Sequence, residues 1–347
     1  MKKDQFEDNF LPFLPEAEPS GQPDAESWKK SIPAQVFLNH YFGMHYHIQQ
    51  SGEAYALYNL PRFLEHTFVI NEQTKENIQK LLLNSWSTEY ALRTTAELGD
   101  EQYLRTALHW TFPQAYYSVL FGLRAFLATH GITANNSELI RREVGRLVVR
   151  GFYPLPLAYY ASGHYDDFTI HRLPLAAYKP SLQLAAEEIE AQAQIGQFLR
   201  TTRKLRAKGI RQQVQSNPKT AIRNKSGQVL EKFSSSHWQQ LTWRIGYTTY
   251  YDLLGRLRIS ANHREIERFV EADINFRLFH QCLLDLVSYI NFIHESYIVK
   301  TMGLEQYEEM ISQLPTYVSS GFVKKRLDNQ IAPLITKLNP VPVQMSA

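Results

Sequence analysis

Residues 264–300 read REIERFVEADINFRLFHQCLLDLVSYINFIHESYIVK. Within them Phe269, Ala272, Phe276, Phe279, Leu283, Leu286, Ile290, Ile293 and Tyr297 recur in alternating steps of three and four. Only a helix brings such positions onto one side, and the seam they form is heptad-like. An apolar seam of this length has to be covered by another helix, in this chain or in a second copy of it. The first choice makes a bundle and the second a homodimer.

Working outward, the same period recurs upstream. Asn71 is a good N-cap, and Ile78, Leu82, Trp86 and Tyr90 follow four apart. Asp100 is a further cap, a third helix starts at Asn136 or Ser137, and Gly99 and Gly131 are stops. The pattern predicts helices over 72–98, 100–130, 136–150, 181–208, 236–260 and 264–300. Pro113 should kink or split the second, Gly209 and then Asn217-Pro218 should break the fourth, and Ser236-His237-Trp238-Gln239 should open the fifth as a capping box. Asn224-Lys225-Ser226-Gly227 reads as a turn.

Residues 33–70 are aromatic without a clean period, which suggests short helices or strands starting near Pro33. Neither a fixed-period repeat nor the alternation of a large sheet is present. The expected fold is mainly α: a helical bundle with a Pro/aromatic-rich loop insertion and a basic helical segment. Residues 1–30 form a disordered acidic, Pro-rich tail in this reading, 31–150 an N-terminal helical part, 151–180 the insertion as an ordered loop or short hairpin, and 181–347 a C-terminal helical part.

Composition narrows the classes. With 347 residues, 44% of them hydrophobic, the chain can build a sizeable core, which excludes collagen-like and wholly disordered proteins. Cys282 is the single cysteine, so no internal disulfide forms and a reducing compartment is the simpler reading. The opening MKKDQFEDNF is charged where a signal peptide needs an apolar run, and Gly151–Gly163 is too short, and too broken by Pro154 and Pro156, to span a bilayer. A cytoplasmic protein with no membrane partner is expected.

Net charge is +3, but it is unevenly placed. Residues 191–230 hold Arg200, Arg203, Lys204, Arg206, Lys208, Arg211, Lys219, Arg223 and Lys225 and no Asp or Glu. The remaining 28 basic residues face 34 acidic ones, so the rest of the chain carries −6. A basic segment on an acidic body is either a solvated helix face or a site for a polyanion such as RNA or DNA. On the second reading affinity should fall steeply with salt, and reversing Arg203, Lys204 and Arg206 to Glu should abolish binding at little cost in stability. Arg141, Arg142, Arg146 and Arg150 form a second arginine stripe along the third helix.

Motifs for nucleotide hydrolysis, dinucleotide binding or a thiolate zinc site are absent, and no cofactor is expected. Two histidine clusters could in principle ligate a metal: His40, His45 and His47, and His164, Asp166, Asp167 and His171. Histidines among tyrosines are more often packed or surface side chains, so neither is expected to hold a metal.

AYYSVLFGLRAFLATHG, residues 115–131, resembles the signature helix of the higher eukaryote and prokaryote nucleotide-binding (HEPN) superfamily: two tyrosines, an apolar run, an arginine, a second apolar run and a closing glycine. TTYYDLLGRLRISANHREIERF, residues 248–269, resembles the later helix and turn that carry the family's arginine and histidine. The resemblance implies a helical protein of toxin or phage-defence type that engages RNA, with two protomers apposed. It also implies a metal-independent endoribonuclease site built from Arg256 or Arg258 with His263. Guanidinium can hold the scissile phosphate while imidazole moves the 2′-hydroxyl proton. Arg256 shares a face with His263 only in an unbroken helix, whereas Arg258 with His263 needs a break near Asn262. The alternative is a non-catalytic nucleic-acid-binding or assembly protein, dimerised through the seam, in which Arg258 and His263 make only local ion pairs with Glu265 or Glu267.

Overall fold

Helix caps set the frame. Asn71 accepts from the Thr74 N–H at 2.9 Å, Asp100 from Tyr103 at 2.7 Å, and Asn136 from Glu138 at 2.8 Å, so helices begin where those residues predict. The computed structural model describes residues 25–50, 55–173, 183–261, 263–319 and 321–338. Its principal helices are α1 (Ala25–Gln50), α2 (Glu72–Leu98), α3 (Leu108–Thr129), α4 (Ser137–Val149), α5 (Glu188–Ser216), α6 (Tyr250–Ser260), α7 (His263–Val270), α8 (Phe276–Met302) and α9 (Leu304–Ser312). An antiparallel hairpin, β1 (Tyr160–Gly163) and β2 (Phe168–His171), lies between α4 and α5, with Tyr160 opposite His171 and Gly163 opposite Phe168. The protein is a mainly α helical bundle, and the described part of the insertion holds a short helix, Leu155–Ala158, and the hairpin. The tail's residues 1–24 and the insertion's 174–180 lie outside the described residues.

Several boundaries differ from the sequence reading, each for a local reason. A single helix, α1, starts at Ala25 and runs through Pro33, where short pieces beginning near Pro33 were expected. Its period is hidden because it is buried on several sides, between α5, α7 and α8, and a helix buried all round shows no single stripe. The 100–130 helix breaks at Ala107 into Glu101–Thr106 and α3, and Pro113 lies inside α3. The basic helix starts later, at a capping box of Glu187 and Glu190, and passes through Gly209 to Ser216. Gly costs about 1 kcal/mol within a helix, which burial of Ala207, Ile210 and Val214 against Trp238, Leu241 and Ile245 offsets. Region 236–260 is three helices, Ser235–Gln240, Thr242–Ile245 and α6, and its capping box is Ser234 with His237. Gly246, at φ +66°, turns the chain into α6.

The deciding stretch itself is two helices, because Asn275 caps α8 by accepting from Leu278 N–H at 2.8 Å. Every seam residue is nonetheless buried, and α8 packs against α1, α2 and α3 of the same chain. The seam's cover is therefore internal, and it offers no surface for a second copy.

Behind the seam sits a polar knot. Arg326 donates to Glu89 and Glu295, and all three are buried. Trp86 Nε1–H and the Tyr307 hydroxyl also donate to Glu295, at 3.1 and 3.0 Å. The segment around Phe322–Arg326 is thus tied to the centre of the bundle, since a buried carboxylate needs its cation and hydrogen bonds to be tolerated. No helix among the described residues is long and apolar enough to cross a membrane.

Candidate nucleic-acid interface

The basic segment sorts into two populations, which helical phase alone separates once one buried residue is fixed. Arg203 is fully buried. Its Nη1 donates to the carbonyls of Ala161 (3.2 Å) and Gly246 (2.6 Å) and to Thr248 Oγ1, and its Nη2 donates to Gly163 O. Arg206 donates from Nε to Ile245 O at 3.2 Å and from Nη2 to both oxygens of Glu138 at 2.6 Å. Arg141, from α4, reaches Tyr247 O and Ile245 O at 3.0 and 3.1 Å. Three forked guanidiniums therefore satisfy carbonyls of loop 245–248 and of strand β1, a use for which five donors in a fixed plane suit arginine and not lysine. Burial pulls the Arg203 pKa down to about 10, with Asp252 opposing the shift, so it stays charged at neutral pH.

This corrects the expected binding set. Arg203 and Arg206 hold the fold together, and the triple reversal of Arg203, Lys204 and Arg206 would break it. Of the arginine stripe of α4, Arg141 is buried, Arg142 and Arg146 are exposed and pair with Glu143 at 3.6 and 2.6 Å, and Arg150 is exposed.

Arg200, Lys204, Lys208 and Arg211 project from α5 within a wedge of about 80°, over a length of about 16 Å. That wedge points away from α1, whose neighbours on α5 include Gln194 and Phe198, and beside it the rings of Tyr165, Trp238 and Phe233 are layered. Tyr165 stacks on Trp238 at 4.7 Å and 21°, and Phe233 meets Trp238 edge-on at 5.2 Å. Lys204 Nζ lies 5.6 Å from the Tyr165 centroid, and the Arg211 guanidinium 5.8 Å from that of Trp238. Partial burial, and after it the charges of Arg211 and Lys204, lower the pKa of Lys208. Lys219, Arg223 and Lys225 are exposed beyond the helix, where Arg223 donates to Gly227 O within the predicted turn.

At the N-terminal end of the stripe, α5 and the hairpin enclose a cleft of about 260 Å³ lined by Arg200, Lys204, Asp166, Asp167, Phe168 and Ile170. Sequence reasoning had weighed Asp166 and Asp167 only as metal ligands. The available signal was Gly163 followed by an acidic and aromatic tip.

The two arginines of the expected cleavage site differ in their surroundings. Arg256 is buried, donates to Thr201 Oγ1 and Thr202 Oγ1 at 3.3 and 2.9 Å, and lies over the Phe37 ring at 4.8 Å. It joins α6 to α5 and α1 and does not face an open surface. Arg258 is exposed, 5.1 Å from the centroid of Tyr116. Since α6 ends at Ser260 and α7 begins at His263, no continuous helix aligns Arg256 with His263. The side chain of His263 lies outside the described residues. Tyr116 Oη and Tyr251 Oη are 3.1 Å apart, so the segments 115–131 and 248–269 are packed together.

The histidine clusters do not converge. His45 faces Asp285 at 3.5 Å, His40 packs on Phe198 and His47 on Tyr159. His164 Nδ1 accepts from the amides of Asp166 and Asp167, while His171 Nε2 meets Ser162 Oγ at 2.7 Å. Among the described residues no group of three potential ligands could hold a metal ion. No family model matches the chain, and no curated protein or solved structure is significantly similar to it.

Proposed function

We propose that the protein binds nucleic acid, RNA or DNA, along the outward face of α5. The observation that carries this reading is the row Arg200, Lys204, Lys208 and Arg211 beside a layered aromatic bed, continued by Lys219, Arg223 and Lys225. A row of about 16 Å meets several phosphates of a strand, and each neutralised phosphate releases counterions. Binding of fluorescent oligonucleotides to the full chain, titrated against salt, is the test. Four α5 cations predict a log–log slope of about −3 for a single strand, and Arg200→Glu with Arg211→Glu should remove binding while the urea midpoint holds. Salt-independent binding, or unchanged binding in that double variant, would overturn it.

A second reading adds RNA cleavage, favoured by the end of one helix at Ser260 and the start of the next at His263, the helix break that the Arg258–His263 pairing requires. Cleavage in the presence of a chelator, lost in His263→Ala and in Arg258→Ala, would support it. Intact RNA, or cleavage that needs an added divalent metal, would remove it.

A further inference from the structure

We infer that the cleft between the hairpin tip and α5 receives one unpaired guanine of a bound strand. The inference rests on the nucleic-acid reading of the same helix and adds what that helix cannot supply, which is selectivity. Arg200 and Lys204 form one wall, Phe168 and Ile170 give an apolar surface, and Asp166 and Asp167 expose carboxylates at the tip. Neither carboxylate makes an ion pair among the described residues, although two cations line the same cleft.

Phosphate contacts attract every sequence alike, and base contacts discriminate. A carboxylate beside a phosphate track repels the backbone, so it favours binding only where it accepts hydrogen bonds from a base. Guanine presents N1–H and N2–H side by side on its Watson–Crick edge, a pair of donors that fits the two oxygens of one carboxylate. Cytosine and adenine offer a single amino group there, and uracil one N–H between two carbonyls that a carboxylate repels. In a duplex that edge is occupied, so the base has to be unpaired, as in most sequence-specific RNA recognition. The volume of about 260 Å³ lies just below the ~300–1,000 Å³ of clefts that hold drug-sized ligands, a size suited to one base.

The tip is held, not free. Gly163 sits at φ +113°, and a Cβ there would run into Asp167 O and Phe168 Cα. His164 N–H donates to Asp167 O at 2.8 Å, and its Nδ1 accepts from the amides of Asp166 and Asp167, both at 3.3 Å. Arg203, one turn inside α5, ties the Ala161 and Gly163 carbonyls to the helix that carries Arg200 and Lys204. Both walls are thereby fixed relative to each other, which lowers the entropy cost of binding.

The test compares, on the full chain, an oligouridylate with one central guanosine, the all-uridine strand, and the guanosine strand annealed to its complement. The guanosine strand should bind about 5- to 100-fold tighter than the uridine strand, and annealing should erase the preference. Asp166→Ala with Asp167→Ala should reduce the preference to under about twofold while uridine-strand binding stays at least as tight. Equal affinity for the two single strands, or a preference that survives the double variant, would overturn the inference and leave salt-dependent binding standing. Loss of salt dependence in the wild type would instead remove the nucleic-acid reading beneath it.

Discussion

The guanidinium of Arg203 donates to the carbonyl oxygen of Gly163, joining the centre of the most basic helix to the turn of the only hairpin among the described residues. It donates at the same time to Ala161 and Gly246, so one buried side chain gathers three segments. Arg203→Ala takes this donor from the Gly163 and Gly246 carbonyls, while Ala161 O keeps the Thr248 N–H at 3.1 Å, and should cost roughly 2–5 kcal/mol. Arg200→Ala, three residues away on the exposed wedge, should stay within about 0.5 kcal/mol. Urea unfolding of the two variants checks the contrast, and equal costs would contradict the assignment.

Leu283 and Leu286 are buried in the α8 seam, so either change to Ala should destabilise by roughly 2–5 kcal/mol. Cys282 beside them is fully buried, and burial, with Asp285 adding to it, pushes its thiol up to about 12. Native protein should therefore react slowly with thiol reagents, and denatured protein quickly. Rapid labelling of the native state would place this helix outside the core.

Arg326→Met removes the cation of buried Glu295 and leaves buried Glu89 with Arg93 alone, and should cost about 3–5 kcal/mol. Glu295, whose pKa burial raises despite the Arg326 charge, is the less strongly ionised of the two. Adding Glu295→Gln to Arg326→Met should recover part of the loss, measurable as a thermal midpoint between those of the single variant and the wild type. No recovery would show that the two side chains do not share one network.

Acid should weaken the fold through its histidines. Burial pushes His40, His66 and His294 down to about 3 and His130 to about 4, with Arg256 adding to the shift at His40, His130 and Lys300 at His66, and Arg150 at His130. The unfolded chain protonates them near 6.5, so their contribution is complete above that pH and is lost as pH falls from there towards 3–4. His40 and His294, both buried, should each cost about 1.4 kcal/mol per pH unit below 6.5. Urea midpoints at pH 7 and pH 5 measure this. A slope unchanged by His294→Phe would show that His294 does not carry it.

Determinants that act within one or two turns were legible in the sequence. Asn71, Asp100 and Asn136 cap helices because a short polar side chain reaches only the next turn, and the steps from Phe269 to Tyr297 name a buried face because helical geometry repeats every 3.6 residues. What lies across the chain was not. Nothing in residues 191–230 says that Arg203 and Arg206 point at carbonyls some 40 positions away, while Arg200 is exposed and Lys204, Lys208 and Arg211 are half-buried on another face. The same holds for Arg256, whose partners Thr201 and Thr202 lie more than 50 residues upstream. Residue type fixes that an arginine carries charge and five donors, and the local period fixes its phase on the helix. Whether those donors go to the protein's own backbone or to a ligand is decided by which segments fold against that phase, and tertiary packing alone supplies that information.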